Sequence, residues 1–269
     1  MQARIAPSLG ALEGTHNEVW GTTEYISDIE PTVFMGLYGM NDFYAVWRHK
    51  GPKYILWCGS DIRHFINGYW LDDEGKIKVS SYAFAAWIKH NCESWVENQV
   101  EYDALARLGI ESQICPSFMG NVDDYKIEYK ESDKTRYYAS VSGDDFGLYK
   151  WQHINMLAAQ NRQAEFHLYG NTKPWKAQTD NVIVHGRIPK EQMNEEIKHM
   201  TGGLRLLEFD GFSEVLAKSI LWGQWPVSAI KYPHMSDKIL HHSPRHPNYD
   251  GREHYLKTLN KFPWNAKIN

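Results

Sequence analysis

The residues best able to do chemistry fall between Asn181 and Val227, where Asp210, Gly211, Phe212, Ser213, Glu214 and Lys218 share one turn and the start of one helix. Ser213 stands where a helix N-cap is expected and Gly223 where that helix should end. The first N–H groups of such a helix have no partner inside it, and the helix dipole places partial positive charge behind them. A phosphate is the natural guest there. Glu214 and Lys218 stand four apart, a spacing that allows a surface ion pair worth roughly a few tenths of a kcal/mol. The rival reading gives Glu214 to a ligand hydroxyl and Lys218 to a phosphate.

The elements that must hold these residues are legible around them. Residues 181–185 alternate Val and Ile as a strand does, Gly186 gives a turn, and Pro189 opens a helix, where its missing N–H costs nothing. Residues 203–208 form the next strand, with Arg205 inside it and a salt bridge to Glu208 or Asp210 within its reach. Strand, helix, strand, turn, helix is a unit of a parallel sheet, and it leaves the turns at the carboxyl ends of the strands open to a ligand. Upstream, residues 137–142 form a strand running into Gly143, Asp144 and Asp145, with Lys150 ahead of a helix over 151–162. Two like charges beside an anion would repel it. Asp144 and Asp145 therefore face water, or the anion is held elsewhere, by Arg187 or Lys218. Residues 165–169 are a further strand, closed by Gly170.

Over residues 137–227 the chain resembles the donor-binding half of the retaining glycosyltransferases of the two-domain GT-B fold, those related to glycosyltransferase family 4. In that family an acidic residue and a glycine precede a helix that carries a second glutamate, and the segment ends in Gly and then Pro-Val. Here the landmarks are Asp210, Gly211, Phe212, Gly223 and Pro226-Val227, with Lys218 in place of the second acid. The resemblance implies an α/β chain of two Rossmann-like lobes facing a cleft, with a compact first lobe and a C-terminal helix crossing back to it.

It further implies transfer of a sugar from a UDP- or GDP-sugar to an acceptor hydroxyl, without a metal or other cofactor and with retention. Asp210 would contact the donor sugar. Gly143 would let the backbone approach the donor, and Lys150 would neutralise the diphosphate. Gly186, Arg187 and Ile188 would read the base, or form an ordinary turn. Gly211, Phe212, Ser213, Glu214 and Lys218 complete the expected donor set. The acceptor would be a glycan, a lipid or a small molecule, met on the first lobe by Asp61 and His64. Two alternatives stay open: a nucleotide-sugar-binding protein without transfer activity, motivated by Lys218, and a glycosyltransferase acting on modified bases in DNA.

Ahead of residue 120 the reading is architectural. Residues 1–30 are polar, with at most one short strand, near 18–20. Residues 31–38 and 53–58 are strands, the second emptying into Gly59, Ser60 and Asp61, where Asp61 is a ligand-site carboxylate or a plain N-cap. A helix over 42–49 should carry Trp47 on its apolar side. Residues 69–80 suggest a hairpin or loop. A helix over 82–90, a strand over 92–96 and a helix from Asn98 with apolar Val100, Leu105 and Leu108 follow. Pro, Gly, Asn and Asp cluster over 116–124 and mark a boundary. The expected organisation is 1–120, an acceptor-side lobe; 121–235, a donor lobe; and 236–269, a tail with a helix over 251–261.

Composition narrows the class. With 269 residues and 42% hydrophobic content, two modest cores are within reach. No apolar run suits a membrane span or a signal peptide, so a cytoplasmic protein is expected. Cys58, Cys92 and Cys115 are odd in number and far apart, which fits neither a disulfide framework nor a zinc cluster. His241, His242 and His246 lack acidic or cysteine partners at ligand spacing, so no metal is expected. A net charge of −4 disfavours a duplex-DNA surface, although Arg48, Lys50, Lys53, Arg63 and His64 could make one basic patch. Eleven tryptophans exceed what packing requires, and carbohydrate or nucleobase stacking would use the surplus.

Overall fold

The computed structural model describes residues 1–12, 14–68 and 81–267. The expected hairpin or loop at 69–80 lies outside the described residues. The chain divides into two units, one of Met1–Asn121, Phe209–Phe212 and Thr258–Asn269, the other of Val122–Glu208 and Ser213–Lys257.

The first unit holds β1 (Gln2–Ile5), α1 (Thr15–Trp20), β2 (Thr23–Glu24), β3 (Thr32–Met35), α2 (Met40–Arg48) and β4 (Lys53–Leu56). It continues with α3 (Ser60–Asn67), α4 (Ser81–Asn91), β5 (Glu93–Val96), α5 (Gln99–Ala106) and β6 (Ser112–Ile114). Its strands lie in the order β2-β1-β3-β4-β5-β6, all parallel. Parallel sheets are covered on both faces, and successive side chains feed opposite ones. Phe34, Ile55 and Val96 enter one core cluster. Their neighbours Val33, Met35, Leu56 and Trp95 enter another.

Two sequence expectations fail in the first thirty residues. β1 is an inner strand of the sheet, yet Gln2 and Arg4 make it look polar. Gln2 is buried because its amide accepts from Ile26 N and Ser27 N and donates to Ser27 O, and Arg4 pairs with Asp42 at 3.0 Å. Residues 18–20, read as strand, belong to helix α1, which buries His16 and Trp20 one turn apart. Trp47 is 52% exposed, on the outer side of α2.

The second unit holds β7 (Arg136–Ser140), α6 (Trp151–Gln160), β8 (Glu165–Tyr169), β9 (Val182–Gly186), α7 (Lys190–Ile197), β10 (Gly202–Arg205), α8 (Glu214–Leu221), β11 (Val227–Ser228) and α9 (Tyr249–Thr258). The strand order is β11-β10-β7-β8-β9, again parallel. The chain runs outward from β7 through β8 to β9, then returns to place β10 on the other flank of β7. The boundary between β7 and β10 is therefore the topological switch point, where open α/β sheets take their ligands at the carboxyl ends of the strands. α8 lies close on β10: a Cβ at Gly203 would stand 2.7 Å from Val215 Cγ1 and 2.8 Å from Val215 O.

The last residues, Thr258–Asn269, belong to the first unit, while α9 up to Lys257 belongs to the second. Phe262 and Trp264 stack at 4.5 Å and meet Trp20 and Trp95 edge-on. The tryptophans expected to serve stacking on a ligand mostly serve packing: Trp20, Trp57 and Trp151 are fully buried.

Candidate functional site

In the second unit, β7 leads to a turn in which Gly143 has φ of 64°, a conformation glycine adopts without strain. Asp144 answers the question its sequence raised. Its carboxylate accepts from Thr172 N at 2.7 Å, Lys173 N at 3.2 Å and the Thr172 hydroxyl, so it ties the turn after β7 to the loop after β8. The Thr172 hydrogen bond leads in holding this carboxyl below its ordinary pKa. Asp145 accepts from Leu148 N at 2.9 Å. Both acids are thus engaged with loop backbone. Lys150 follows in the left-handed region, φ 58°, as the N-cap of α6.

Gly186 ends β9 with φ of 74°, and its carbonyl accepts from Gly170 N at 2.8 Å. Arg187 is exposed, Ile188 is half-buried, and Pro189 caps α7. At the end of β10 the Arg205 guanidinium lies over the Tyr149 ring at 4.7 Å, which joins the strand on one side of the switch point to the turn on the other. A half-buried contact of this kind is worth roughly 0.5–2 kcal/mol.

Ser213 caps α8 as expected, its hydroxyl accepting from Val215 N at 3.3 Å. Lys218 Nζ lies 2.8 Å from Glu214 Oε1, and Lys190 Nζ lies 3.5 Å from the same oxygen. The pair is not the surface contact its spacing suggested, for Lys218 is buried and also reaches Asn194 Oδ1 at 3.4 Å. Burial lowers the Lys218 pKa, opposed by Glu214. Burial raises that of Glu214, but Lys218 and Lys190 outweigh it and the carboxyl ends below its usual value. Lys190 and Lys218 thus gather around Glu214 beside the start of α8, with Glu191 also within electrostatic reach of Lys218.

Asp210, Gly211 and Phe212 belong to the first unit. Asn98 Nδ2 donates to Asp210 O at 2.8 Å, and Phe212 N donates to Glu97 Oε2 at 2.7 Å. Gly59, with φ of 84°, lets the backbone of Gly211 approach so closely that a Cβ there would stand 2.3 Å from Gly211 N. Asp61, read as an acceptor-side candidate, is fully buried. Its oxygens accept from Leu37 N, Cys58 N and Ile62 N, each at 2.9 Å, so it holds the turn into α3. Burial pushes its pKa up to about 6 against those bonds. His64 is exposed, its ring 6.0 Å from that of Tyr38.

Two clusters escaped the sequence reading. Glu97 and Glu101 are buried with Asp61 in the first unit, and Glu101 Oε2 accepts from Glu97 N at 2.7 Å. Its signal was a charge on the same helical face as Ala104 and Leu105. In the second unit, His167 Nδ1 and His185 Nε2 share a hydrogen bond of 2.9 Å, and His185 stacks on Tyr169 at 4.3 Å. Only pairing of β8 with β9 brings them together.

The stretch read as one basic patch is in part engaged locally. Lys50 pairs with Asp28 at 2.8 Å, Lys53 donates to Gly51 O, and His49 is buried. The cysteines are free, Cys115 buried and Cys58 and Cys92 half-buried. Among the described residues, no group of three or more His, Cys, Asp or Glu side chains could hold a metal, and no helix is long and apolar enough to cross a membrane.

No family profile matches the chain, and no curated protein matches it by sequence. Solved structures match by fold. TarM aligns at 16% identity with a TM-score of 0.50, over 90% of this chain and 50% of its own. Sucrose-phosphate synthase from Thermosynechococcus elongatus aligns at 11% identity and 0.50, over 82% and 59%. The trehalose 6-phosphate synthase of Burkholderia multivorans aligns at 6% identity and 0.50, over 89% and 65%. The chain thus spans about half the length of the first of these. At such identities the likeness is one of fold, the two parallel-sheet α/β units of GT-B glycosyltransferases.

Proposed function

We propose that the chain is a glycosyltransferase that moves a sugar from a nucleoside-diphosphate sugar to an acceptor hydroxyl. One observation carries this reading. The switch point between β7 and β10 is flanked by the Gly143–Lys150 turn and by the capped start of α8, with Lys190 and Lys218 beside it. Such a crevice suits a diphosphate. The same fold carries sugar transfer elsewhere, and a variant of Staphylococcus aureus TarM, TM-score 0.51, was solved with UDP and alpha-GlcNAc-glycerol. UDP is accordingly the first donor base to try, with GDP second.

In this reading the leaving diphosphate, whose charge grows as the glycosidic bond breaks, is met by N–H groups at the start of α8 and by Lys150, Arg187 and Lys190. Those cations do the work a metal ion would otherwise do. Gly186 and Ile188 offer backbone groups to the base, and Asp210 contacts the sugar. Retention follows from the family resemblance. Asp61, fully enclosed, acts through the turn it holds and not on the acceptor. The acceptor is a glycan, a lipid or a small molecule, in the cytoplasm. A DNA base is disfavoured by the net charge of −4 and by the pairing of Lys50.

A specific observation favours a second reading, nucleotide-sugar binding without transfer: Lys218 stands where the family carries an acid. A thermal-shift screen of the purified chain against UDP, GDP and their glucose conjugates tests the first step. A shift with one nucleotide that shrinks in Lys150→Ala supports the donor site. Release of free nucleotide from the conjugate then separates transfer or hydrolysis from binding alone. No shift with any of them would sink both readings.

A further inference from the structure

We infer that Glu97 is a positioning residue that holds the Asp210–Gly211–Phe212 turn in the shape its donor-sugar contact requires, an inference that rests on the glycosyltransferase reading. Glu97 lies between β5 and α5 and is 5% exposed. Its Oε2 accepts from Phe212 N at 2.7 Å. Its Oε1 accepts from Ser117 N at 3.2 Å and from the Ser117 hydroxyl. A Cβ on Gly211 would stand 2.1 Å from Glu97 Oε2, so the glycine makes room for this carboxylate and no other residue fits beside it unmoved.

The neighbouring Asn98 fastens the other end of the turn, donating to Asp210 O while its own oxygen caps α5 through Glu101 N at 3.1 Å. Phe209 packs against the core that contains Phe34 and Trp57. The turn is thus gripped on both sides of Asp210 by its backbone, and the grip comes from residues distant in sequence.

The grip is made in a costly way. Glu97 is buried with Glu101 and Asp61, and Asp210 stands close enough to repel it. Burial pushes its pKa up to about 7, with Ser117 and Phe212 opposing. A buried acid among acids is poor packing. It makes sense where its two oxygens must receive hydrogen bonds from two different segments at once, which a carboxylate does and an amide does not.

Wild type, Glu97→Gln, Glu97→Ala and Asn98→Asp chains would be compared by hydrogen exchange and by thermal shift with UDP and with UDP-glucose, or the GDP pair if GDP is the base bound. Amides over 209–212 should exchange at least about tenfold faster in Glu97→Ala, with β7 and β8 unchanged. The shift with the bare nucleotide should persist, and the extra shift given by the attached sugar should vanish. Glu97→Gln, which keeps one acceptor, should recover part of both. Asn98→Asp, which keeps the α5 cap and loses the donor to Asp210 O, should repeat the loss and serves if Glu97→Ala does not fold.

Unchanged exchange over 209–212, or an acceleration spread over the whole chain, would overturn the anchoring. If the wild type responds to the sugar and Glu97→Ala responds equally, the positioning role alone fails. If the wild type responds to no nucleotide, the donor reading fails and the role falls with it.

Discussion

Lys218 Nζ lies 2.8 Å from Glu214 Oε1, yet the lysine is buried while the glutamate side chain stays 59% exposed. The cation is the buried partner and the anion can reach water. Replacing Lys218 with Met should therefore leave no stranded buried charge, since Glu214 keeps Lys190 and solvent. We expect a stability change within about 1 kcal/mol of wild type, read as a urea midpoint, together with weaker nucleotide binding. Lys218→Glu, which restores the acid of the resembled family, should cost more, because it places two carboxylates one helical turn apart around Asn194 and in part burial. If Lys218→Met unfolds the chain, the asymmetry drawn here is wrong.

What the sequence disclosed followed from periodicity and punctuation. Ser213, Gly186, Gly223 and Asn98 sit at helix caps and turns, where residue type is dictated by local backbone geometry, and each was placed correctly. What it hid was polar burial. Gln2 and Arg4 made β1 look like a loop because their satisfaction by Ser27 and Asp42 comes from elsewhere in the chain. The burial of Glu97 was hidden for the same reason, since Ser117 and Phe212 lie far along the chain. Asp61 was open to two readings, ligand carboxylate or turn cap, because the three backbone N–H groups it accepts from include Leu37 N, distant in sequence.

The acids buried in the first unit should give stability a pH dependence of unusual sign. Burial raises Asp61 to about 6 and Glu97 to about 7, above their unfolded values, and raises Glu101 as well. The folded chain thus holds protons that the unfolded chain has lost. The contribution is fully present below the unfolded carboxylate values and is lost as pH rises through about 6 and 7. Urea midpoints should fall over that interval. Glu101→Gln should flatten the fall, since its Oε2 role is kept by the amide oxygen and Glu101 Oε1 has no partner to lose. A midpoint that rises across the same interval would refute the assignment.

Close packing of α8 on β10 depends on Gly203. A Cβ there would press on Val215 Cγ1 and on the backbone oxygen of Val215, and backbone cannot step aside cheaply. Gly203→Ala should cost about 1–3 kcal/mol of overpacking and tilt the start of α8 away from the strand. Differential scanning calorimetry should show the loss, and nucleotide affinity should fall with it. A chain of wild-type stability would mean that α8 slides freely on β10.

The histidines between β8 and β9 should oppose the acids at lower pH. His167 and His185 share one hydrogen bond of 2.9 Å, so one ring must donate and the other accept while both are neutral. Burial, with the neighbouring His185 next, lowers His167 to about 4, and burial lowers His185, with Glu196 opposing. Each folded value lies below the unfolded one of about 6.5. Their contribution is present above that value and is lost as pH falls toward 4. Stability should therefore decline on the acid side even though the carboxylates favour that side, and His185→Phe, which keeps the ring on Tyr169, should shift the acid limb to lower pH. Because His185 precedes Gly186 and Arg187 directly, nucleotide affinity should fall less between pH 7 and pH 5 in this variant than in wild type. Monitoring the imidazole resonances of both histidines by NMR titration gives the check: a normal titration near 6.5 for His167 would show that the pair is open to water and the argument unsound.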